Sequence, residues 1–462
     1  MNYDLIIIGS GPGGYVAAIR ASQLGMKVGV VEKSELGGIC LNWGCIPTKS
    51  LLKSAQVYNY LKHAGDYGVN IIGEVQADLP KMVERSRQIA EGMSKGIQFL
   101  FKKNNIEHIR GVGKFVSNNS VEVDNEGEKQ IISSKNIILA TGARSKELPN
   151  LPQDGKKIIG YKKALTLREK PESMIVVGSG AIGSEFAYFY SSIGTKVILI
   201  EFLPNIIPLE DEEVSKQLGR SFKKAGIKVM VDSSVESVDI SGEKVKAFVK
   251  TRNGEEIIET DIILSAVGIT PNLENIGIEE LGIEFEKGKI KVDDFYRTNI
   301  NGVYAIGDIV HGQALAHVAS AEGIICVEKI AGLDVKPLNY GNIPACTYTS
   351  PEVASVGMTE KAAIEAGYEI KMGKFPFTAS GKASASGDRD GFVKLIFDAR
   401  YGEILGAHLI GANVTEMIAE IVVARNLEST GHELIKSVHP HPTISEAIME
   451  AAAAAYGEVI HL

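Results

Sequence analysis

An α/β architecture of several domains is predicted by three observations. The chain has 462 residues, a Gly-x-Gly-x-x-Gly turn occurs twice in the same strand–helix setting, and the pattern changes after residue 338. At roughly 150 residues per domain, the length allows about three domains with sizeable cores. The two turns mark Rossmann-like dinucleotide-binding domains built on parallel sheets, and the last part reads as a separate C-terminal α+β domain. The expected divisions are 1–145, 146–270, a central segment 271–338 and 339–462.

Composition narrows the class. Lys and Arg number 49 against 57 Asp and Glu, a net charge of −8, which disfavours nucleic-acid backbones as partners. No run approaches the ~18 apolar residues of a membrane span. An apolar strand pattern begins within the first five residues, leaving no room for a signal segment. Four cysteines are too few for a disulfide scaffold. The expectation is a soluble, cytoplasmic protein with no nucleic-acid or membrane partner.

The elements follow in order. Asp4–Ile8 is a short apolar run that reads as a buried parallel strand. Gly9-Ser-Gly11-Pro-Gly-Gly14 follows, then a helix from Tyr15 to Leu24 and a strand from Lys27 to Val31 ending at Glu32. The same grammar returns in Ser173–Val177, Gly178-Ser-Gly180-Ala-Ile-Gly183, a helix, and Lys196–Ile200 ending at Glu201. In each copy the carboxylate stands 23 residues after the first glycine. That context suits a dinucleotide: the backbone approaches the pyrophosphate, the helix N-terminus faces its charge, and the acid accepts from ribose hydroxyls. Glu201 favours NAD, because a carboxylate repels a 2′-phosphate and residues 202–211 carry no Lys or Arg.

Each repeat closes on a matching strand, Asn136–Gly142 in the first and Asp261–Gly268 in the second. The first is longer because of a mostly helical insertion from Leu36 to Asn105. Gly302–Ile306 is a further buried strand, and Ala314–Ala331 reads as a helix. Beyond Asn339, strands at Phe392–Asp398 and Glu403–Ile410 and helices at Val414–Leu427 and Thr443–Tyr456 form the final domain.

The insertion carries Cys40-Leu-Asn-Trp-Gly-Cys45-Ile-Pro-Thr-Lys49. The spacing differs from that of zinc knuckles, and the other cysteines, Cys326 and Cys346, are remote. In an ideal helix residues five apart have Cα atoms about 8.6 Å apart, beyond the ~7 Å limit for a disulfide. A bond therefore needs a distorted first turn, which Gly44 permits and Pro47 helps to enforce. Two buried thiols or an inert bridge are the plain alternatives, but so short a loop restrains the unfolded chain little. His439-Pro-His441-Pro-Thr443-Ile-Ser-Glu446 is the other notable stretch. Its plain reading is a Thr443/Glu446 capping box. Its functional reading is an imidazole base near neutral pH.

These residues together resemble the flavin-dependent pyridine nucleotide–disulfide oxidoreductases, and in particular the members that oxidise dihydrolipoyl groups. The resemblance covers essentially the whole chain, and the paired-cysteine segment is a specific mark of the family. It implies FAD on Gly9, Gly11, Gly14 and Glu32, with Thr141, Gly142, Lys49, Asp308 and Ala316 also at the flavin. It implies NAD on Gly178, Gly180, Gly183, Glu201 and Gly268. It implies a redox-active Cys40–Cys45 disulfide, with His441 as base and Glu446 orienting it. Glu185 would pair with Lys49 near the nicotinamide; on residues alone it is a first-turn acid facing the helix dipole.

The implied partners are a second copy of the chain, supplying His441 to a shared active site through a C-terminal dimerisation domain, and a lipoyl-bearing acyltransferase or glycine-cleavage carrier protein. The chain begins at the flavin strand, so the lipoyl carrier is expected on a separate protein. Among relatives, NADP-linked glutathione reductases are opposed by Glu201. Reductases with an additional C-terminal redox pair are opposed by Cys346 being the last cysteine. Another NAD(P)H-dependent disulfide reductase, or a redox-sensing flavin- and NAD-binding regulator, are the alternative readings. Two departures from the family stand out: Trp43 replaces a small apolar residue, and Gly268–Asn272 lacks an arginine.

Overall fold

Residues 2–462 are described by a computed structural model. They form two compact units. One holds the N-terminal stretch up to Leu51 with Pro80–Lys146 and Ile269–Leu338; the other holds Leu52–Leu79, Glu147–Gly268 and Asn339–Leu462.

In the first unit, strand Asn2–Ile8 pairs in parallel with Val28–Glu32 on one side and Glu128–Leu139 on the other. Glu107–Arg110 extends the sheet beyond Val28–Glu32, and Val303–Ala305 pairs with Ile137–Leu139 at the far side. The second unit repeats this order around Ser173–Val177, which lies between Lys196–Ile200 and Ile262–Ser265. Lys228–Met230 and Ile158–Ile159 close its edges, again in parallel. Leu5, Ile6, Ile7, Met174, Ile175 and Val176 are fully buried. Continuous apolar runs of this kind belong to parallel strands covered on both faces.

The fifth parallel strand of each sheet, Val303–Ala305 in the first and Ile158–Ile159 in the second, lies outside the stretch from opening strand to closing strand. Ile158–Ile159 has only two residues, too few for a periodicity to reveal. The strand read from Asn136 begins earlier, at Glu128, because its first half pairs antiparallel with Ser120–Asn125.

The C-terminal part carries a five-stranded antiparallel sheet in the order Ala345–Thr347, Glu352–Gly357, Ile404–Gly411, Phe392–Asp398, Ile370–Pro376. Helices Val414–Asn426 and Glu446–Tyr456 cover it, and Leu395, Phe397, Leu409, Ile418, Ile421 and Ile448 fill the space between.

One lysine interrupts that apolar sheet. Lys394 is 1% exposed, and its Nζ lies 3.1 Å from Asp211 and 2.9 Å from Glu213, with Glu360 also in contact. Burial alone would lower its pKa, yet the surrounding carboxylates hold it above the usual lysine value. Next to Asp211, Glu210 buries its Oε2 without a hydrogen-bond partner among the described residues. Burial first, then the Asp211 charge, push the Glu210 carboxyl up to about 7, although the Ser355 hydroxyl lowers it. An acid with a higher pKa folded than unfolded costs the fold stability as pH rises from about 4.5 to about 7, and nothing further above that. Glu210→Gln is therefore expected to gain stability over the parent across that window, levelling at about 3 kcal/mol. Urea midpoints at a series of pH values check it; a difference that does not change with pH would contradict the burial of this carboxyl.

Candidate active site

The first glycine turn joins strand Asn2–Ile8 to helix Pro12–Gln23. Gly9 has φ +103°, and a Cβ on Gly14 would lie 1.9 Å from the Gly9 carbonyl oxygen, so strand and helix meet only because both are glycine. Among the described residues, a Cβ on Gly11 would meet nothing within 4 Å, and no side chain caps the helix that Gly11 opens. The turn thus offers an open face with uncapped helical N–H groups, the arrangement an anionic phosphate requires. Glu32 reaches back to it. Its Oε2 accepts from the Ser10 N–H at 2.9 Å and the Ser10 hydroxyl at 2.8 Å, and its Oε1 accepts from the Ser34 N–H at 2.9 Å. A carboxylate has about four acceptor sites, so Glu32 retains capacity for a ribose hydroxyl.

The cysteine segment is built directly on this turn. A Cβ on Gly38, at φ +62°, would lie 2.6 Å from the Gly11 Cα, and the Gly37 N–H donates to the Ser10 carbonyl at 3.1 Å. Helix Gly38–Trp43 ends at Gly44, and a second helix, Cys45–Lys62, starts at once. Cys40 and Cys45 form a disulfide with Cα atoms 4.7 Å apart. An unbroken helix would hold them near 8.6 Å; the interruption at Gly44 is what brings them together. Lys49 follows Cys45 by one helical turn, on the same helix face, and is half-buried.

The second turn repeats the first in detail. Gly178 has φ +95°, a Cβ on Gly183 would lie 1.9 Å from the Gly178 carbonyl oxygen, and Gly180 is open. Glu201 accepts from the Ser179 N–H at 2.8 Å and hydroxyl at 2.6 Å, and from the Leu203 N–H at 2.9 Å. Glu185 is the fifth residue of helix Ala181–Ser192, beyond the first turn. The first-turn reading of this acid therefore fails. Its side chain is buried, and its Oε1 accepts from the Tyr348 N–H at 3.0 Å.

His441 and Glu446 touch. The imidazole Nδ1 lies 2.9 Å from Glu446 Oε1, while Glu446 Oε2 accepts from the Thr443 N–H at 2.9 Å. Burial alone would raise the Glu446 carboxyl, but the Thr443 N–H and the His441 ring hold it below the ordinary carboxylate range. An ionised carboxylate can only accept, so it selects the tautomer with hydrogen on Nδ1 and leaves Nε2 with a lone pair. No capping box forms at Thr443: the helix begins at Glu446, and the Thr443 hydroxyl donates to the Pro440 carbonyl. His439 turns to Glu420 at 2.8 Å.

A family model described as pyridine nucleotide-disulphide oxidoreductase matches residues 3–323, and its dimerisation-domain counterpart matches residues 343–452. The chain belongs to this oxidoreductase family. A dihydrolipoyl dehydrogenase of Zymomonas mobilis is 49% identical over 100% of this chain and 99% of its own length. The mitochondrial dihydrolipoyl dehydrogenase of Pisum sativum is 43% identical over 99% of this chain and 92% of its own. The crystal structure of LpdA from Mycobacterium tuberculosis superposes with a TM-score of 0.90 at 27% identity, covering 97% of this chain and 98% of that one.

Other residues singled out in the sequence, Thr141, Gly142, Asp308 and Ala316, lie in the first unit. Asp308 lies in the short helical turn Gly307–Ile309, and a Cβ on Gly142 would come within 4.0 Å of its Oδ2. Burial pushes the Asp308 carboxyl above its usual range, with Lys289 opposing. The Thr141 hydroxyl donates to the Asn272 carbonyl at 2.7 Å, and Asn272 Nδ2 returns a bond to the Thr141 carbonyl. Near Gly268, Arg144 from a neighbouring strand bonds Asn272 and Glu274. Ala316 begins helix Ala316–Ile330.

Sequence reasoning missed Glu322, which is 1% exposed on that helix. Its Oε2 accepts from the Gly307 N–H at 2.6 Å and so holds the turn that carries Asp308. An acid within an otherwise apolar helical stretch was the available signal. Cys326 is fully buried, and burial pushes its thiol up well above the usual value, which leaves it unreactive.

Proposed function

We propose that this enzyme oxidises a protein-bound dihydrolipoyl dithiol to its cyclic disulfide and reduces NAD to NADH. The observation that carries the reading is the Cys40–Cys45 disulfide, formed across a helix break on the first of two dinucleotide turns. Full-length relatives named for this activity support it. FAD occupies the first turn, with Gly9, Gly11, Gly14, Glu32, Thr141, Gly142, Lys49, Asp308 and Ala316. NAD occupies the second, with Gly178, Gly180, Gly183, Glu201 and Gly268, and Glu185 serves as partner of Lys49 at the nicotinamide. The assignment follows 1–145 as the FAD domain, 146–270 as the NAD domain, 271–338 completing the FAD site and 339–462 as the dimer interface. The open Gly11 and Gly180 faces fit pyrophosphates, and the carboxylates fit ribose hydroxyls.

The chain's own residues carry the thiol chemistry. The imidazole of His441 takes a proton from one substrate thiol at Nε2, and Glu446 stabilises the charged ring. The substrate thiolate attacks Cys40 Sγ, the Cys40–Cys45 bond breaks, and Cys45 leaves as a thiolate. The second substrate thiol then attacks the substrate sulfur of the mixed disulfide, closing the lipoyl ring and expelling Cys40. Cys40 takes the proton held by His441 while the imidazole accepts the proton of the second thiol, leaving a Cys40 thiol, a Cys45 thiolate and a protonated His441. FAD and NAD, when bound, supply the hydride chemistry that turns the dithiol back into a disulfide, so that dihydrolipoyl plus NAD+ yields lipoyl, NADH and H+.

The His441 side chain is 79% exposed in the single chain. Proton abstraction from a thiol benefits from a site shielded from water, and the partner subunit's His441 facing the disulfide meets that need in a homodimer. The carrier is the lipoyl-bearing acyltransferase of a 2-oxo acid dehydrogenase complex or a glycine-cleavage carrier protein, in the cytoplasm. Incubating the purified protein with dihydrolipoamide and NAD tests the reading: sustained NADH production is expected, with a long-wavelength thiolate–flavin band at two-electron reduction. A single stoichiometric burst would replace this function with a redox sensor.

A further inference from the structure

The break at Gly44 that unites the two cysteines is gripped from outside by one helix. Helix Gly38–Trp43 has six residues, too few to satisfy its last carbonyls internally. From helix Leu79–Lys103, Arg87 Nη2 donates to the Asn42 carbonyl, and the guanidinium lies 4.5 Å from the centre of the Trp43 ring. Two residues earlier, Arg85 Nη1 donates to the Ser50 carbonyl at 3.0 Å and to its hydroxyl at 2.7 Å, on the helix that follows the break. Asn42 is fixed in turn, its Nδ2 donating to the carbonyls of Leu36 at 2.9 Å and Gly38 at 3.1 Å. Both sides of the interruption are thus held by a third element. This also gives Trp43 its purpose, since a small side chain at 43 would offer the guanidinium no aromatic face.

We propose that Arg87, with Trp43 as its platform, is a positioning residue for the redox pair, keeping the two helix ends together after the disulfide opens. The consequence is thermodynamic. Two thiols held in register have a high effective concentration toward each other, so the clamp favours the disulfide over the dithiol. Without it the helix ends are free to separate on reduction, and the dithiol gains entropy. The proposal rests on Cys40 and Cys45 being the redox pair of the proposed function.

The test is an equilibrium measurement on the FAD-loaded protein in glutathione buffers. Protein disulfide plus two GSH gives protein dithiol plus GSSG, scored by thiol alkylation and mass while the flavin spectrum is followed. Arg87→Gln and Trp43→Val are expected to shift the equilibrium about tenfold toward the dithiol, the scale of one charge-assisted hydrogen bond. Trp43→Phe should stay near the parent, and Arg87→Lys should recover part of the loss. An Arg87→Gln protein with an intact flavin spectrum and an equilibrium within twofold of the parent would overturn the proposal. Should that variant not fold, Trp43→Val decides on the same criterion. Because thiols rather than turnover are scored, the clamp and the lipoyl activity fail separately: a parent that never makes NADH sinks only the latter.

Discussion

Cys45→Ser is expected to give a folded, yellow protein whose lipoyl-dependent NADH formation falls by about three orders of magnitude or more. Serine cannot form the bond to Cys40, so a substrate thiolate finds no disulfide to attack and no sulfur leaves. The Cys45 side chain is only half-buried and begins a helix whose remaining turns do not depend on it, so loss of fold is not the expected cause. NADH oxidation by an artificial electron acceptor separates the two explanations, since it uses the bound flavin without the disulfide and should persist. Retention of full lipoyl turnover by this variant would end the redox-disulfide reading.

The second large effect concerns the base. His441→Gln should lower turnover by about 10²–10⁴-fold, the usual contribution of a positioned general base, with little change in thermal stability because the ring is mostly exposed in the single chain. Glu446→Gln should cost less, since the imidazole stays in place and loses only its orientation and the charge that stabilises its protonated form. The Glu446 carboxyl titrates below the ordinary range. Its pairing is therefore present above that range and lost only as pH falls through the lowered value, so the Glu446→Gln deficit should hold throughout neutral and mildly acidic pH. A deficit confined to alkaline pH would contradict the assigned tautomer. Pre-steady-state reduction by dihydrolipoamide, monitored in the flavin absorbance, isolates this step from product release.

Much of the site was legible because its constraints are local. Gly9 and Gly14 are read from a six-residue string, since a strand turning sharply into a helix forbids side chains at those two points. Glu32 and Glu201 are found by spacing because the strand that ends in each must lie beside its glycine turn. The cysteine pair was visible as a motif, and its closure was expected from the family resemblance and from a glycine at 44 that permits a helix break, although an unbroken helix would argue against the bond.

Sequence alone determined the repeated nucleotide grammar, the identity of the sulfur and imidazole groups, and the change to an antiparallel C-terminal sheet. Each depends on residues close together in the chain. Only the tertiary structure decided the fifth strand of each parallel sheet, the Arg87 grip on the helix break, the Glu322 bond beneath Asp308, and the burial of Lys394 among three carboxylates. The physical reason is common to all four. A strand pairing, a carbonyl capped by a distant guanidinium and a shifted ionisation are each set by groups from remote segments brought into contact, and no pattern within one window records which segments will meet.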